Sequence, residues 1–321
     1  MRKAADLDKV VSDFRSGNTS ATGKLISIME NGGDNAEKVL EKILPDITGV
    51  YRIGFTGPPG AGKSTLISKL ASHFREDGEK LGIIVVDPSS PFSGGALLGD
   101  RVRMQNLSSD PGIFVRSLAS RGTLGGISNC TDEAVDIFDA AGKDVVLIET
   151  VGVGQSELAI AEKTHTVVVI LVPESGDAIQ AMKAGLMEIG DIFVMNKSDH
   201  QDAGMAAREL EATLRMKDIR EGGWEPVVVM TSGLKGEGID KLKEAIDIHR
   251  KYLIESGLMK KKRKQMLYSR VKNALIDRLD RRIRESSRIM ELVEDRMEDV
   301  YHSRISPYSL VHEIDRLIKI E

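Results

Sequence analysis

The eight residues Gly57-Pro58-Pro59-Gly60-Ala61-Gly62-Lys63-Ser64 constrain this chain more than any other stretch. They match G-x-x-x-x-G-K-S in full, follow a short apolar run at residues 53–55, and lead through Thr65 into a helical pattern reaching residue 74. Glycines at this spacing let backbone N–H groups turn toward phosphate oxygens, and the following helix adds its dipole. Lys63 can reach β and γ phosphates, and Ser64 can offer an oxygen to magnesium. A chance glycine turn is the alternative reading, and the strand–loop–helix setting argues against it.

Such a loop needs a sheet to carry it. Between about residues 50 and 250, apolar runs at 53–55, 81–86, 113–115, 145–148, 167–172, 192–195 and 227–230 alternate with helical stretches. The runs are short, β-branched and largely without polar alternation, as strands covered on both faces should be. The expected fold class is therefore α/β, a mostly parallel central sheet with N-terminal and C-terminal helical extensions. The boundaries predicted are 1–48 for the N-terminal helices, 49–255 for the nucleotide domain and 256–321 for a helical arm. In the arm, Met266, Leu267, Val271, Leu275, Leu279, Ile283, Ile289, Met290, Val293 and Met297 recur at helical spacing. A shorter helix is expected beyond Pro307. A stripe of that kind packs back on the sheet domain or against another chain.

A length of 321 residues accommodates this plan, and a net charge of -4 gives no global case for nucleic acid. The one dense basic run is Lys260-Lys261-Lys262-Arg263-Lys264. It reads as a solvated helix face or interhelical turn, or else as a surface for an acidic partner, phospholipid or nucleic acid. The single cysteine, Cys130, excludes an internal disulfide framework and suits a reducing compartment. No apolar leader or membrane-length run is present, so a cytoplasmic protein without nucleic-acid or membrane partners is expected.

Two later loops choose the base. Asn196-Lys197-Ser198-Asp199 follows the run at 192–195. An aspartate there can accept from both the ring N1–H and the 2-amino group of guanine, neither of which adenine presents. The stem of Lys197 can lie over the base, and Asn196 can tie this loop to the phosphate loop. Thr231-Ser232-Gly233-Leu234 follows the last run, where a backbone N–H can meet the guanine O6. GTP as substrate and GDP as product are the expectation.

Asp87 closes the run at 81–86, Asp100 and Arg101 come after a glycine-containing loop, and Glu149-Thr150-Val151-Gly152 closes the run at 145–148. Acidic groups at strand ends beside a phosphate loop are placed to hold Mg²⁺ or its waters. Ser64, Asp87, Asp100 and Glu149 are the metal candidates; Lys63, Asp87 and Glu149 are the catalytic ones. Gly152 is the expected γ-phosphate sensor, and Gln155 is a candidate for orienting water. Capping of loops and helices is the competing role for the acidic residues, Asp100 above all. The six histidines show no metal-ligand spacing.

With these strings in place, the chain resembles the MeaB/ArgK GTPases, chaperones of adenosylcobalamin-dependent methylmalonyl-CoA mutase. The resemblance rests on the phosphate loop with Thr65, and on Val86-Asp87-Pro88-Ser89-Ser90-Pro91 with Gly94-Gly95 and Leu98-Gly99-Asp100-Arg101. It extends to Glu149-Thr150-Val151-Gly152-Val153-Gly154-Gln155-Ser156-Glu157 and to Asn196-Lys197-Ser198-Asp199. It implies a Mg²⁺-dependent GTPase serving a B12-dependent acyl-CoA mutase, gating cofactor delivery and protecting or reactivating the mutase. It also implies a homodimer made through the C-terminal helices. One departure stands out. The family's third switch ends in G-D-E-L-Q, and this chain has Pro173-Glu174-Ser175-Gly176-Asp177-Ala178-Ile179-Gln180, with Asp177, Gln180 and Lys183 as candidates for signalling partner contact. The alternatives are a nickel-type metallochaperone GTPase and a P-loop metabolic kinase; the guanine-reading loop speaks against ATP use. Arg101, Arg103 and Arg121 are the arginine-finger candidates.

Overall fold

A computed structural model describes residues 2–87, 107, 109–119, 130–150, 156–173, 185–216 and 223–318. They form two compact units, Met1–Met266 and Leu267–Glu321.

The first unit opens with helices α1 (Arg2–Arg15), α2 (Thr19–Asn31) and α3 (Asp34–Ile43). Asn18 caps α2 by accepting from the amides of Ser20 and Ala21. Seven strands follow: β1 (Tyr51–Thr56), β2 (Leu81–Asp87), β3 (Ile113–Ala119), β4 (Val145–Glu149), β5 (Thr166–Leu171), β6 (Ile192–Met195) and β7 (Val227–Met230). Every predicted apolar run is a strand. The order is β3-β2-β4-β1-β5-β6-β7, and each neighbouring pair is parallel.

Alternate residues of each strand enter different cores. On β5, Val167, Val169 and Leu171 join a cluster with Leu25, Ile26, Val39 and Phe138, while Val168 and Ile170 join one with Leu66, Phe74 and Leu242. One face is therefore covered by α1 to α3 and α5 (Cys130–Ala140), the other by α4 (Lys63–Glu76) and α9 (Ile239–Glu255). Among the described residues this unit also holds α6 (Ser156–Ala159), α7 (Leu186–Ile189) and α8 (Ala203–Arg215). Burial on both faces explains why the strands lack polar alternation.

Helix α10 (Leu258–Glu285) begins in the first unit and continues into the second, which also holds α11 (Ser287–Tyr301) and α12 (Pro307–Ile318). The apolar stripe read from residue 266 to 297 runs over two helices rather than one. A break intervenes because Ser286 takes extended backbone angles and its hydroxyl accepts from the Ile289 amide at 3.4 Å, starting a new helix. Within this unit Ile289 and Leu310 are buried, whereas Leu267, Val271, Leu275 and Leu279 are 44–70% exposed. Among the described residues, no helix is long and apolar enough to cross a membrane.

Candidate functional site

β1 ends at Thr56, and residues 57–62 turn directly into α4. Three glycines make this turn with positive φ: Gly57 at 136°, Gly60 at 78° and Gly62 at 87°. Gly57 also lies so close to the Ile170 carbonyl of β5 that a Cβ would overlap it. Gly62 occupies the N-cap position and offers no side-chain cap to the first amides of α4, the end of a helix that favours an anion. Beneath the loop opens a cavity of about 360 Å³, bounded by Pro59, Gly60, Gly62, Lys63, Ser64, Thr65, Val85, Val86, Glu149 and Thr150.

Lys63 is buried, and its ammonium donates to the carbonyls of Gly57 at 2.8 Å and Pro58 at 3.0 Å. The group expected to meet phosphate thus rests on its own loop. Ser64 Oγ donates to Glu149 Oε1 at 2.7 Å, and both residues are buried. Glu149 stands on β4, an inner strand beside the central β1, level with Phe55 of β1 and Val85 of β2. A hydroxyl and a carboxylate held together beside an anion-binding loop form a hard-oxygen donor set, the chemistry that Mg²⁺ selects. These two residues fit that ion.

Asp87 is the last residue of β2, beyond the Val85–Glu149 register, on the edge of the sheet that carries the phosphate loop. Its side chain, together with Asp100, Arg101, Arg103, Arg121, Gly152, Gln155, Asp177, Gln180 and Lys183, lies outside the described residues.

Asn196 joins the three loops chosen from the sequence. Its Nδ2 donates to the Ala61 carbonyl at 2.7 Å, while its Oδ1 accepts from Thr231 Oγ1 and from the Gly233 amide, each at 3.0 Å. The tie from Asn196 to the phosphate loop was expected; the partners Thr231 and Gly233 were not read from the sequence. Lys197 has φ of 56°, unusual for a residue with a side chain, and the Ser198 amide then bonds to the Thr231 carbonyl at 2.9 Å. Asp199 is exposed and accepts from Ser232 Oγ at 2.8 Å, a bond that holds its carboxyl below the usual range. Ser232 and Gly233 are buried, and Leu234 is 87% exposed at the loop tip.

The family MeaB, described as methylmalonyl Co-A mutase-associated GTPase, matches residues 22–288. A Pyrococcus horikoshii protein carrying a GTPase name is 43% identical over 305 residues, 94% of this chain and 95% of that one. GTPase ArgK of Escherichia coli is 35% identical over 272 residues, covering 83% and 82%. The mouse mitochondrial methylmalonic aciduria type A homolog is 41% identical over 217 residues, 66% of this chain and 52% of that protein. Among solved structures, one described as a LAO/AO transport system kinase aligns over 98% of both chains with a TM-score of 0.74 at 24% identity, a likeness of fold.

Proposed function

The chain belongs to the MeaB family of methylmalonyl Co-A mutase-associated GTPases, and from that premise we propose that its cycle of GTP binding and hydrolysis regulates a B12-dependent acyl-CoA mutase. In this role it gates cofactor loading and protects or reactivates the mutase. The family description and the name of the mouse relative support that partner. The observation that carries the nucleotide half is Asn196, which binds the phosphate loop with one side-chain atom and the base-reading loop at 231–233 with the other.

The chain's own groups supply the following chemistry. Lys63 exchanges the Gly57 and Pro58 carbonyls for the β and γ phosphates, and the amides at the start of α4 take the remaining oxygens. Asp199 accepts from guanine N1–H and the 2-amino group, with Lys197 over the base and the Ser232–Leu234 backbone at O6. Mg²⁺, held by Ser64 and by Glu149 and Asp87 directly or through water, with Asp100 as a further acidic ligand, would neutralise charge on the phosphates. Glu149 and Asp87 are the acidic groups assigned to orient the attacking water, and Gly152 is assigned to sense the γ-phosphate.

Functionally the chain divides into N-terminal helices (1–48), nucleotide domain (49–255) and arm (256–321). The arm pairs with its copy through Leu267, Val271, Leu275 and Leu279, an exposed stripe at four-residue spacing. The cycle is assigned to the cytoplasm.

The test is hydrolysis of GTP against ATP by the purified protein, with and without the mutase of the same organism. A GTP-only rate raised several-fold by the mutase is expected; a rate indifferent to the mutase would remove the partner assignment. Lys63→Ala should lose tight GTP binding. Val271→Glu with Leu275→Glu should convert a dimer to a monomer in light scattering, and a monomeric parent protein would refute the pairing.

A further inference from the structure

The basic run at 260–264 has no part in the nucleotide site, yet two of its members are tied to the sheet. Lys262 Nζ donates to the His165 carbonyl at 2.6 Å and stands 3.5 Å from the Asp191 carboxylate. Arg263 donates to the Thr48 carbonyl at 2.7 Å and lies against Gly49, where a Cβ would overlap its guanidinium. Gly49 has φ of 102°, a backbone conformation that residues with a side chain rarely adopt. Asp139 of α5 grips the same stretch, accepting from Thr48 N (3.0 Å), Thr48 Oγ1 (2.8 Å), Gly49 N (2.6 Å) and Val50 N (2.9 Å).

Thr48 lies just ahead of β1, and His165 immediately precedes β5. Consecutive residues of one helix therefore hold the lead-in residues of two neighbouring strands. Those strands pair from Ile53↔Thr166 to Thr56↔Val169. At their far ends they meet in the nucleotide site, where Gly57 rests against the Ile170 carbonyl. A shift of β1 along β5 is thus resisted at one end by α10 and felt at the other by the phosphate loop.

We propose that Lys262 and Arg263 form a strap through which α10 sets the stagger of β1 against β5, coupling the seating of this helix to nucleotide binding. The inference rests on reading the phosphate loop as the GTP site, and it assigns a regulatory input to that site. Because coupling free energy is reciprocal, nucleotide should tighten the root of α10 by the same factor that the root tightens nucleotide.

The full-length protein serves for the test, with a non-hydrolysable GTP analogue as probe. In Lys262→Ala/Arg263→Ala, the Kd for the analogue should rise at least about threefold. In the unsubstituted protein, the analogue should slow amide hydrogen exchange over residues 258–266. If exchange there quickens in the variant while the Kd stays unchanged, the two residues merely seat the helix and the proposal fails. It fails equally if the analogue leaves exchange over 258–266 untouched in the parent protein, a readout that stands even where the double variant does not fold. Absence of analogue binding to the parent would overturn the GTP reading first, and the coupling with it.

Discussion

Ser232 donates its hydroxyl hydrogen to Asp199 Oδ1 at 2.8 Å, so the loop after β7 aims the carboxylate presented by the loop after β6. Ser232→Ala removes that aim and keeps the backbone. GTP affinity should fall about fivefold, and the preference for GTP over ATP should narrow in parallel. Titration calorimetry with both nucleotides checks this; an unchanged ratio would separate Ser232 from base recognition.

The Ser64–Glu149 bond at 2.7 Å places two oxygens where a hard cation is expected. Ser64→Ala should raise the Mg²⁺ concentration for half-maximal hydrolysis about tenfold or more, and should also lower melting in the absence of nucleotide, because the buried Glu149 carboxylate loses its Ser64 donor. A Mg²⁺ titration of the two proteins is the measurement. Coincident curves would place the ion elsewhere.

Gly57 combines φ of 136° with contact against the Ile170 carbonyl. Gly57→Ala therefore meets backbone strain and overlap together, at a cost of about 2–3 kcal/mol. Lower thermal stability and lost nucleotide binding are expected, read by calorimetry and fluorescent GDP. Gly60→Ala faces no neighbouring atom within reach of its Cβ and should be milder on both readouts.

Two buried imidazoles make the fold sensitive to acid. Burial, reinforced by Arg52, Lys262, Arg263 and Arg250, pushes His165 down to about 3. Burial against the opposing pull of Asp191 leaves His249 at about 4. Unfolded, each takes a proton near 6.5, so the unfolded chain binds more protons below that pH. Stability is full above about pH 6.5 and declines as pH falls toward 4, with up to about 2 kcal/mol lost per group by pH 5. Melting of the parent and of His165→Gln between pH 7 and 5 should show a shallower fall in the variant.

The strands were legible because they are short apolar runs, the inner ones buried on both faces, and the phosphate loop because its glycines serve backbone angles that few other residues adopt. The base-reading loops were legible by their place after β6 and β7. Less visible was anything that depends on a backbone acceptor. Lys262 and Arg263 read as part of a solvated charge run, since the His165 and Thr48 carbonyls that receive them leave no trace in residue type. Nor did apolar spacing reveal the break at Ser286, because the stripe continues on both sides while one hydroxyl restarts the helix.

The strand order also sets a timetable for synthesis. β1 is the first strand made, yet its partners come much later, Tyr51 pairing with Val145 and Ile53 with Thr166. A nascent chain therefore carries its phosphate loop for a long interval with no neighbouring strand to shape it, and such distant pairing is slow to form. The Asn196 tie between the phosphate loop and Gly233 cannot form until residue 233 has emerged. For most of its time on the ribosome, the chain lacks the contact that joins its two nucleotide loops.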